Sequence, residues 1–323
     1  MAQIVVTRPL VHGALEGLAP PHTVETGPPP TGSELSEEAL IERIGTASAV
    51  VTTVADPVTE RVLSSCPNLE MVAQYAVGLD NIDLAAASRE GITVTHTPGV
   101  LTEATADFTW ALLLAVARRV VDADAFVRSG KFDRWETRTL LGMELHGKTL
   151  GIIGMGRIGS AVARRALGFG MDVVFHNRTP ANPTIIRETN SRQVALDTLL
   201  RTSDVVSLHC PHNDDSHHLL REDTLATMKP SALLINTARG PVVHESDLVD
   251  ALRAGRIAGA GLDVFENEPD VHPGLLEHER VVLAPHLASA TVEARTRMGQ
   301  MCVESLLAYF SGEDVPYTVR SQL

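Results

Sequence analysis

Cysteine, lysine, aromatic side chains and long apolar runs are all scarce in this chain of 323 residues, and each shortage closes off a class of protein. The three cysteines, Cys66, Cys210 and Cys302, are odd in number, scattered and without paired spacing, so neither a disulfide framework nor a thiolate metal site is indicated. A reducing compartment fits that usage. No apolar run approaches the span of a bilayer, about 20 residues, and no membrane association is expected. The opening "MAQIVVTRPL" lacks the basic start and longer apolar stretch of a secretory signal, which points to a cytoplasmic location. Positive charge is short as well. A net charge of −13 denies nucleic acid or an anionic membrane surface the basic footprint they require, so any anionic ligand has to be held by local cations. Those cations are nearly all arginines, because Lys131, Lys148 and Lys229 are the only lysines.

What is present is the material of a globular α/β protein. At 44% hydrophobic and 21% charged residues the chain can bury substantial cores, and its length suggests two compact units or one large body. Short β-rich runs ending in turns alternate with helical patterns, as expected of parallel sheets covered by helices. "QIVVTRP", "ASAVVTTV", "LEMVAQYAVG" and "GITVTHTPG" read as strands of a small doubly wound domain, and "TGPPPTG" at 26–32 reads as a turn. One long helical pattern over 102–130, stopped by Gly130, suits a connector. A second alternating series follows it, and a last helical run from "SATVEARTRM" onward returns to the first domain.

The second series opens on "TLGIIGMGRIGSAVARRALGFG", in which Gly154-Met155-Gly156-Arg157-Ile158-Gly159 follows an apolar strand and starts a helix. In that context the pattern is a dinucleotide phosphate loop: Gly154 permits the tight turn, Gly156 lets a pyrophosphate approach the backbone, and Gly159 lets the helix pack on the strand. The helix N-terminus adds free N–H groups and a positive dipole end. About 20 residues further on, an acid commonly binds the adenosine ribose of NAD. Here "VVFHNRTP" places Asn177, Arg178 and Thr179 instead. A neutral amide removes the repulsion of a 2′-phosphate, and a guanidinium with a hydroxyl can bind one, so NADPH is the preferred cofactor and NADH a possible one.

Three later strand ends carry ionisable residues: Arg239 in "LLINTARGPVV", Glu268 in "GLDVFENEPDVHP" and His286 in "VVLAPHLASAT". At the carboxyl ends of strands in an open α/β sheet they can face the same crevice as a cofactor. Glu266 competes with Glu268 for the acid's place.

With these segments in view, the chain resembles the D-isomer-specific 2-hydroxyacid dehydrogenases, most of all their glyoxylate/hydroxypyruvate reductase branch. The resemblance runs through "YAVGLDNID", "VTHTPGVLTEATADFTWALLLAVARR", "GKTLGIIGMGRIGSAVARRALGFGM", "MKPSALLINTARGPVV", "AGAGLDVFENEP" and "VVLAPHLASAT". It implies two doubly wound parallel-sheet domains: a flavodoxin-like substrate domain of residues 1–100 and 286–323, and a Rossmann cofactor domain of residues 101–285 inserted in it, with the active site in the cleft between them. It implies that Arg239 holds a 2-oxo acid, that His286 protonates the developing alkoxide, and that Glu268, whose spacing the family favours, orients the imidazole. Val77 and Gly78 would grip the substrate carboxylate through their N–H groups, and Ser289 would add a hydrogen bond. Cys210 and Pro211 would lie beside the adenosine, and Thr237, Ala238 and Asp263 near the nicotinamide. Ala288 stands where the family often has glycine, against the same ring.

The activity so implied is reduction of a small 2-oxo acid, glyoxylate or hydroxypyruvate, to the D-2-hydroxy acid by a homodimer. Alternatives are a phosphoglycerate or phosphite dehydrogenase of the same family, or a corepressor-like dinucleotide sensor. No metal is expected: "HNDDSHH" at 212–218 reads as a surface loop, and hydride transfer to a 2-oxo acid needs no metal ion. Trp135 suits either a substrate pocket or a subunit contact.

Overall fold

The computed structural model describes residues 1–28 and 35–319. Of the turn read at 26–32, residues 29–32 lie outside the described residues. The chain divides into two compact units, Met1–Leu101 with Ala290–Leu323, and Thr102–Ser289. Residues 286–289, assigned above to the substrate domain, fall in the second of these units. No helix among the described residues is long and apolar enough to cross a membrane.

The first unit is built on five parallel strands, β1 (Gln3–Val6), β2 (Thr23–Thr26), β3 (Ala49–Thr52), β4 (Met71–Gln74) and β5 (Thr93–Thr95). Their order, β2-β1-β3-β4-β5, is the flavodoxin-like one. The strands are rich in β-branched residues, and β3 and β4 are buried on both faces, as parallel strands covered by helices must be. Alternate side chains serve opposite layers. Val50 and Val72 join Leu40, Val62 and Leu63 on one face, while Ala49, Val51, Met71 and Ala73 meet Met298, Cys302 and Leu306 of the helix Val292–Ser311 on the other. That helix starts where the Thr291 side chain accepts from the Ala294 N–H, and Gly312 ends it in the left-handed conformation.

The second unit carries seven parallel strands: β6 (Thr149–Ile153), β7 (Asp172–His176), β8 (Arg192–Gln193), β9 (Val205–Leu208), β10 (Leu233–Asn236), β11 (Gly259–Leu262) and β12 (Val281–Leu283). The order β12-β11-β10-β9-β6-β7-β8 is the Rossmann arrangement extended by one strand, with the reversal of strand order between β6 and β9. Ile153, Val174, Val206 and Leu234 point into one core, and Ile152, Phe175, Val205 and Ile235 into the other. The fold class expected from the sequence is the one observed.

The single helix expected over 102–130 is two, Thr102–Ala117 and Val120–Arg128. Arg119 between them is left-handed at φ 52°. The cause is a contact from much later in the chain: the Met143 N–H donates to the Ala117 carbonyl at 2.7 Å, and Gly142 sits so close that a Cβ there would lie 2.3 Å from the same oxygen. The first helix buries Ala106, Trp110, Leu113 and Val116 against the sheet, whereas the second buries no residue at all.

Candidate active site

Each glycine of the phosphate loop has a separate physical reason. Gly154 leaves β6 at φ 100°, and a Cβ there would come within 2.6 Å of the Cys210 backbone nitrogen at the end of β9. Only glycine combines that backbone with that approach. Gly159 lets the helix Arg157–Gly168 settle on the strand, since its Cβ would lie 2.2 Å from the Gly154 carbonyl. Gly156 is different: a Cβ there would meet nothing within 4 Å. It caps the helix without any side-chain hydrogen bond, the first turn carries no acid, and Arg157 and Gly156 are exposed. An open backbone at an uncapped helix N-terminus, at the topological switch point of the sheet, suits a dinucleotide pyrophosphate.

At the end of β7, the Met155 N–H donates to Asn177 Oδ1 at 2.6 Å, so this side chain fastens the second strand end to the phosphate loop. The bond is not legible in the sequence, which places Asn177 near the ribose by its distance from the glycines. Arg178 pairs with Asp215 in the loop after β9, and both are exposed, as is Thr179. Burial pushes the Cys210 thiol up to about 11, against the opposing charge of Arg178, which leaves a neutral wall here with the exposed Pro211 beside it. Burial likewise pushes His209 down to about 3, and its Nε2 lies 2.8 Å from Ser207 Oγ.

The ends of β10, β11 and β12 hold the ionisable set. Asn236, buried at the end of β10, accepts from the Ala238 N–H at 3.0 Å and donates to the Arg239 carbonyl at 2.9 Å, which closes the turn over Thr237 and Ala238. Thr237 Oγ1 lies 2.8 Å from Thr109 Oγ1. Arg239 donates to the Ala238 carbonyl at 2.7 Å, and its charge reaches Glu268.

Asp263 follows β11 and is fully buried. Its two carboxylate oxygens accept the Leu287 N–H at 2.6 Å and the Ala288 N–H at 2.8 Å, while its carbonyl accepts the His286 N–H at 2.8 Å. One acid thus clamps the turn on which His286 stands. That turn is needed because His286 is left-handed at φ 55°, a conformation that costs a non-glycine residue about 1–2 kcal/mol. Burial raises the Asp263 pKa, and the two N–H groups with the His286 charge offset only part of the rise.

His286 Nδ1 donates to Glu268 Oε2 at 2.8 Å, and the Phe265 N–H donates to Glu268 Oε1 at 3.0 Å. Burial tends to raise the Glu268 pKa, but the His286 bond and charge, the Phe265 N–H and the Arg239 charge outweigh it, so this carboxyl titrates below its ordinary value. Glu266 goes elsewhere, with Oε1 2.7 Å from His218 Nε2 and Oε2 accepting the Glu245 N–H at 3.0 Å. Of the two competing acids, Glu268 is therefore the imidazole's partner. Ser289 is half-buried beyond the clamped Ala288.

In the first unit, Val77 and Gly78 occupy the loop after β4. Gln74 donates to the Gly78 carbonyl at 3.2 Å and to Asn81 Oδ1 at 2.7 Å, and His96 Nδ1 lies 3.1 Å from the Val77 carbonyl. Both carbonyls are engaged. Neither Val77 N–H nor Gly78 N–H donates a hydrogen bond among the described residues.

Comparison with known proteins agrees with this architecture. Residues 110–288 match the family described as D-isomer specific 2-hydroxyacid dehydrogenase, NAD binding domain. A glyoxylate reductase of Thermococcus litoralis is 49% identical over 288 residues, covering 88% of this chain and 87% of its own. One from Aeropyrum pernix is 47% identical over 331 aligned positions, covering 99% and 96%. Among solved structures, an NADPH-dependent glyoxylate/hydroxypyruvate reductase from Sinorhizobium meliloti, in complex with NADP and malonate, superposes with a TM-score of 0.87 at 34% identity over 98% of this chain and 96% of its own. On the phosphate loop, the strand order and this match, the chain belongs to the D-isomer-specific 2-hydroxyacid dehydrogenase family.

Proposed function

We propose that the protein reduces a small 2-oxo acid of the glyoxylate or hydroxypyruvate type to the D-2-hydroxy acid, with NADPH preferred over NADH. The observation that carries this reading is the Glu268–His286 pair at 2.8 Å, built on the Asp263 clamp in the unit that holds the phosphate loop. The relatives' names and the NADP complex of the Sinorhizobium meliloti enzyme support it.

Gly154, Gly156, Arg157, Ile158 and Gly159 would hold the pyrophosphate, and Thr237, Ala238, Asp263 and Ala288 would border the nicotinamide, which supplies the hydride. The rest falls to the chain's own side chains. Arg239 holds the substrate carboxylate and carbonyl by a charge-assisted fork, with Ser289 and the Val77 and Gly78 N–H groups as further donors. His286, fixed at Nδ1 by Glu268, presents Nε2 to the carbonyl oxygen and gives it a proton as negative charge develops there. Glu268 remains ionised and neutralises the imidazolium.

For the cofactor, the supporting feature is the Arg178 ion pair with Asp215. Both partners are exposed, so the pair is weak, and an adenosine 2′-phosphate can take Arg178 from the carboxylate at little cost. Asn177 adds no opposing charge. A homodimer is supported by the apolar side chains left exposed between residues 120 and 141: Val120, Val121, Val127, Phe132, Trp135 and Leu141. Trp135 is 78% exposed and packs into neither core, which favours a subunit contact for it.

The deciding experiment follows oxidation of NADPH and NADH by the purified protein with glyoxylate, hydroxypyruvate, pyruvate and phenylpyruvate. Turnover with the first two and a higher kcat/KM for NADPH are expected; no turnover with any 2-oxo acid sinks the reading. Light scattering on the eluted protein tests the dimer, and a monomer overturns that part.

A further inference from the structure

Three separate segments of the second unit bring two imidazoles and a carboxylate together. One ligand-type atom each from His218, His244 and Glu266 lies within 4.8 Å of the others, all on half-buried residues. We propose that these three residues bind a borderline divalent cation of the zinc type, with a fourth position left to water.

The donor chemistry suits that class: two imidazoles and one carboxylate match zinc or cobalt rather than calcium or magnesium, which prefer oxygen throughout. The residues are also supported from behind, as metal ligands usually are. Glu266 Oε2 accepts the Glu245 N–H at 3.0 Å, which aims Oε1 at His218. Asp247 Oδ1 lies 3.0 Å from His244 Nδ1, close enough for charge but off the geometry of a hydrogen bond, so this buried nitrogen has no hydrogen-bond partner among the described residues. The carboxylate beside His244 Nδ1 and the N–H on Glu266 Oε2 thus hold two of the three donors in place.

The backbone holding the cluster is stiff. His218 N–H donates to the Pro241 carbonyl and His244 N–H to the Leu220 carbonyl, each at 2.8 Å. Gly240 packs so tightly on the 265–266 peptide that its Cβ would lie 1.8 Å from the Phe265 carbonyl oxygen. Only side chains have to adjust. His218 Nε2 and Glu266 Oε1 are 2.7 Å apart as a hydrogen-bonded pair. Ligands of a tetrahedral zinc at 2.0–2.1 Å stand about 3.3 Å from one another, so the pair opens by a fraction of an ångström while His244 closes in. The bound ion would tie together the segment after Arg239 and the segment before Glu268.

The test needs no turnover. Tag-free protein stripped with chelator is titrated with cobalt, read by visible absorption, and with zinc, read by calorimetry. One equivalent is expected, with a raised Tm. His244→Ala and Glu266→Gln should each weaken binding by at least tenfold, with circular dichroism and the metal-free Tm checking that they still fold. His212→Ala, at a separate histidine of the same loop, should leave binding unchanged. Absence of stoichiometric binding, or binding lost with His212→Ala but kept with His244→Ala and Glu266→Gln, overturns the proposal.

Discussion

Glu268→Gln keeps the shape of the side chain while removing its charge and one of its two acceptors. The site keeps its volume, but the amide oxygen can accept from only one of His286 Nδ1 and the Phe265 N–H, the NH2 group faces the other donor, and neither meets an anion. A hydrogen bond to a charged group contributes about 1.5–3 kcal/mol. Both side chains are about a third exposed, at 35% and 33%, so solvent screening reduces the pair's contribution to folding. We expect about 1 kcal/mol after that discount.

The sign with pH follows from the lowered Glu268 pKa. A depressed carboxylate stabilises the fold above its unfolded pKa, about 4.3, and that contribution is lost as pH falls through the folded value. Urea unfolding should therefore separate wild type from Glu268→Gln at neutral pH, and the two curves should converge in acid. In catalysis the penalty is larger, because the imidazolium that gives up the proton has lost its counterion. A fall in kcat of roughly 10- to 100-fold is expected, growing as pH rises, with the KM for cofactor unchanged. Near wild-type kcat across the neutral range, or a stability difference that widens in acid, would refute the reasoning.

Other substitutions probe neighbouring steps. His286→Ala should abolish most turnover while cofactor binding, followed by fluorescence, persists; near-normal reduction removes His286 from the proton's path. Asp263→Asn can accept only one of the Leu287 and Ala288 N–H groups, and leaving the other unpaired costs about 1–3 kcal/mol. Its kcat should drop at least tenfold, roughly, as the His286 turn loosens, and an unchanged kcat would show that the clamp does not position the imidazole. Asn177→Asp with Arg178→Ala should move the kcat/KM ratio toward NADH, and an unchanged ratio would show that the 2′-phosphate is held elsewhere. Gly154→Ala meets both a left-handed backbone and a contact of 2.6 Å, so it should lose more than about 2 kcal/mol in urea unfolding. Gly156→Ala has open space around it and should unfold like wild type while binding dinucleotide more weakly. Equal stability of the two variants would refute the division between a glycine kept for folding and one kept for ligand.

The phosphate loop and the strand series could be read from the chain because their causes are local. Gly154, Gly156 and Gly159 act within one turn and the start of one helix, and the alternation of Val50 with Val51, or Ile152 with Ile153, needs only the two-residue period of a strand. What escaped depends on contacts closed across the sheet. The helix break at Arg119 is imposed by Met143 taking the Ala117 carbonyl, and nothing in "AVARRVVDADAF" announces it. Asn177 is expected beside the ribose from its place at the strand end, but the bond its oxygen accepts from Met155 on the neighbouring strand end cannot be read from the chain.

The same distinction applies to Asp263, whose hold on the His286 turn adds to the place beside the nicotinamide proposed for it. Its position one residue beyond β11 is visible in the sequence, but the N–H groups it accepts belong to the turn after β12. That bond runs between adjacent parallel strands, whose pairing sets Leu262 beside Leu283 and so brings the acid to the His286 turn. The arrangement has a thermodynamic signature. An acid whose pKa burial has raised disfavours the folded state when ionised, and the sign is opposite to that of Glu268: the cost is absent below the unfolded pKa, about 3.9, grows as pH rises from there to the folded value, and is constant above it. The fold therefore carries, at one turn, a buried carboxyl whose ionisation is disfavoured and a left-handed histidine. Two destabilising features retained at a single turn are better explained by what the turn presents than by packing, and what it presents is the imidazole of His286.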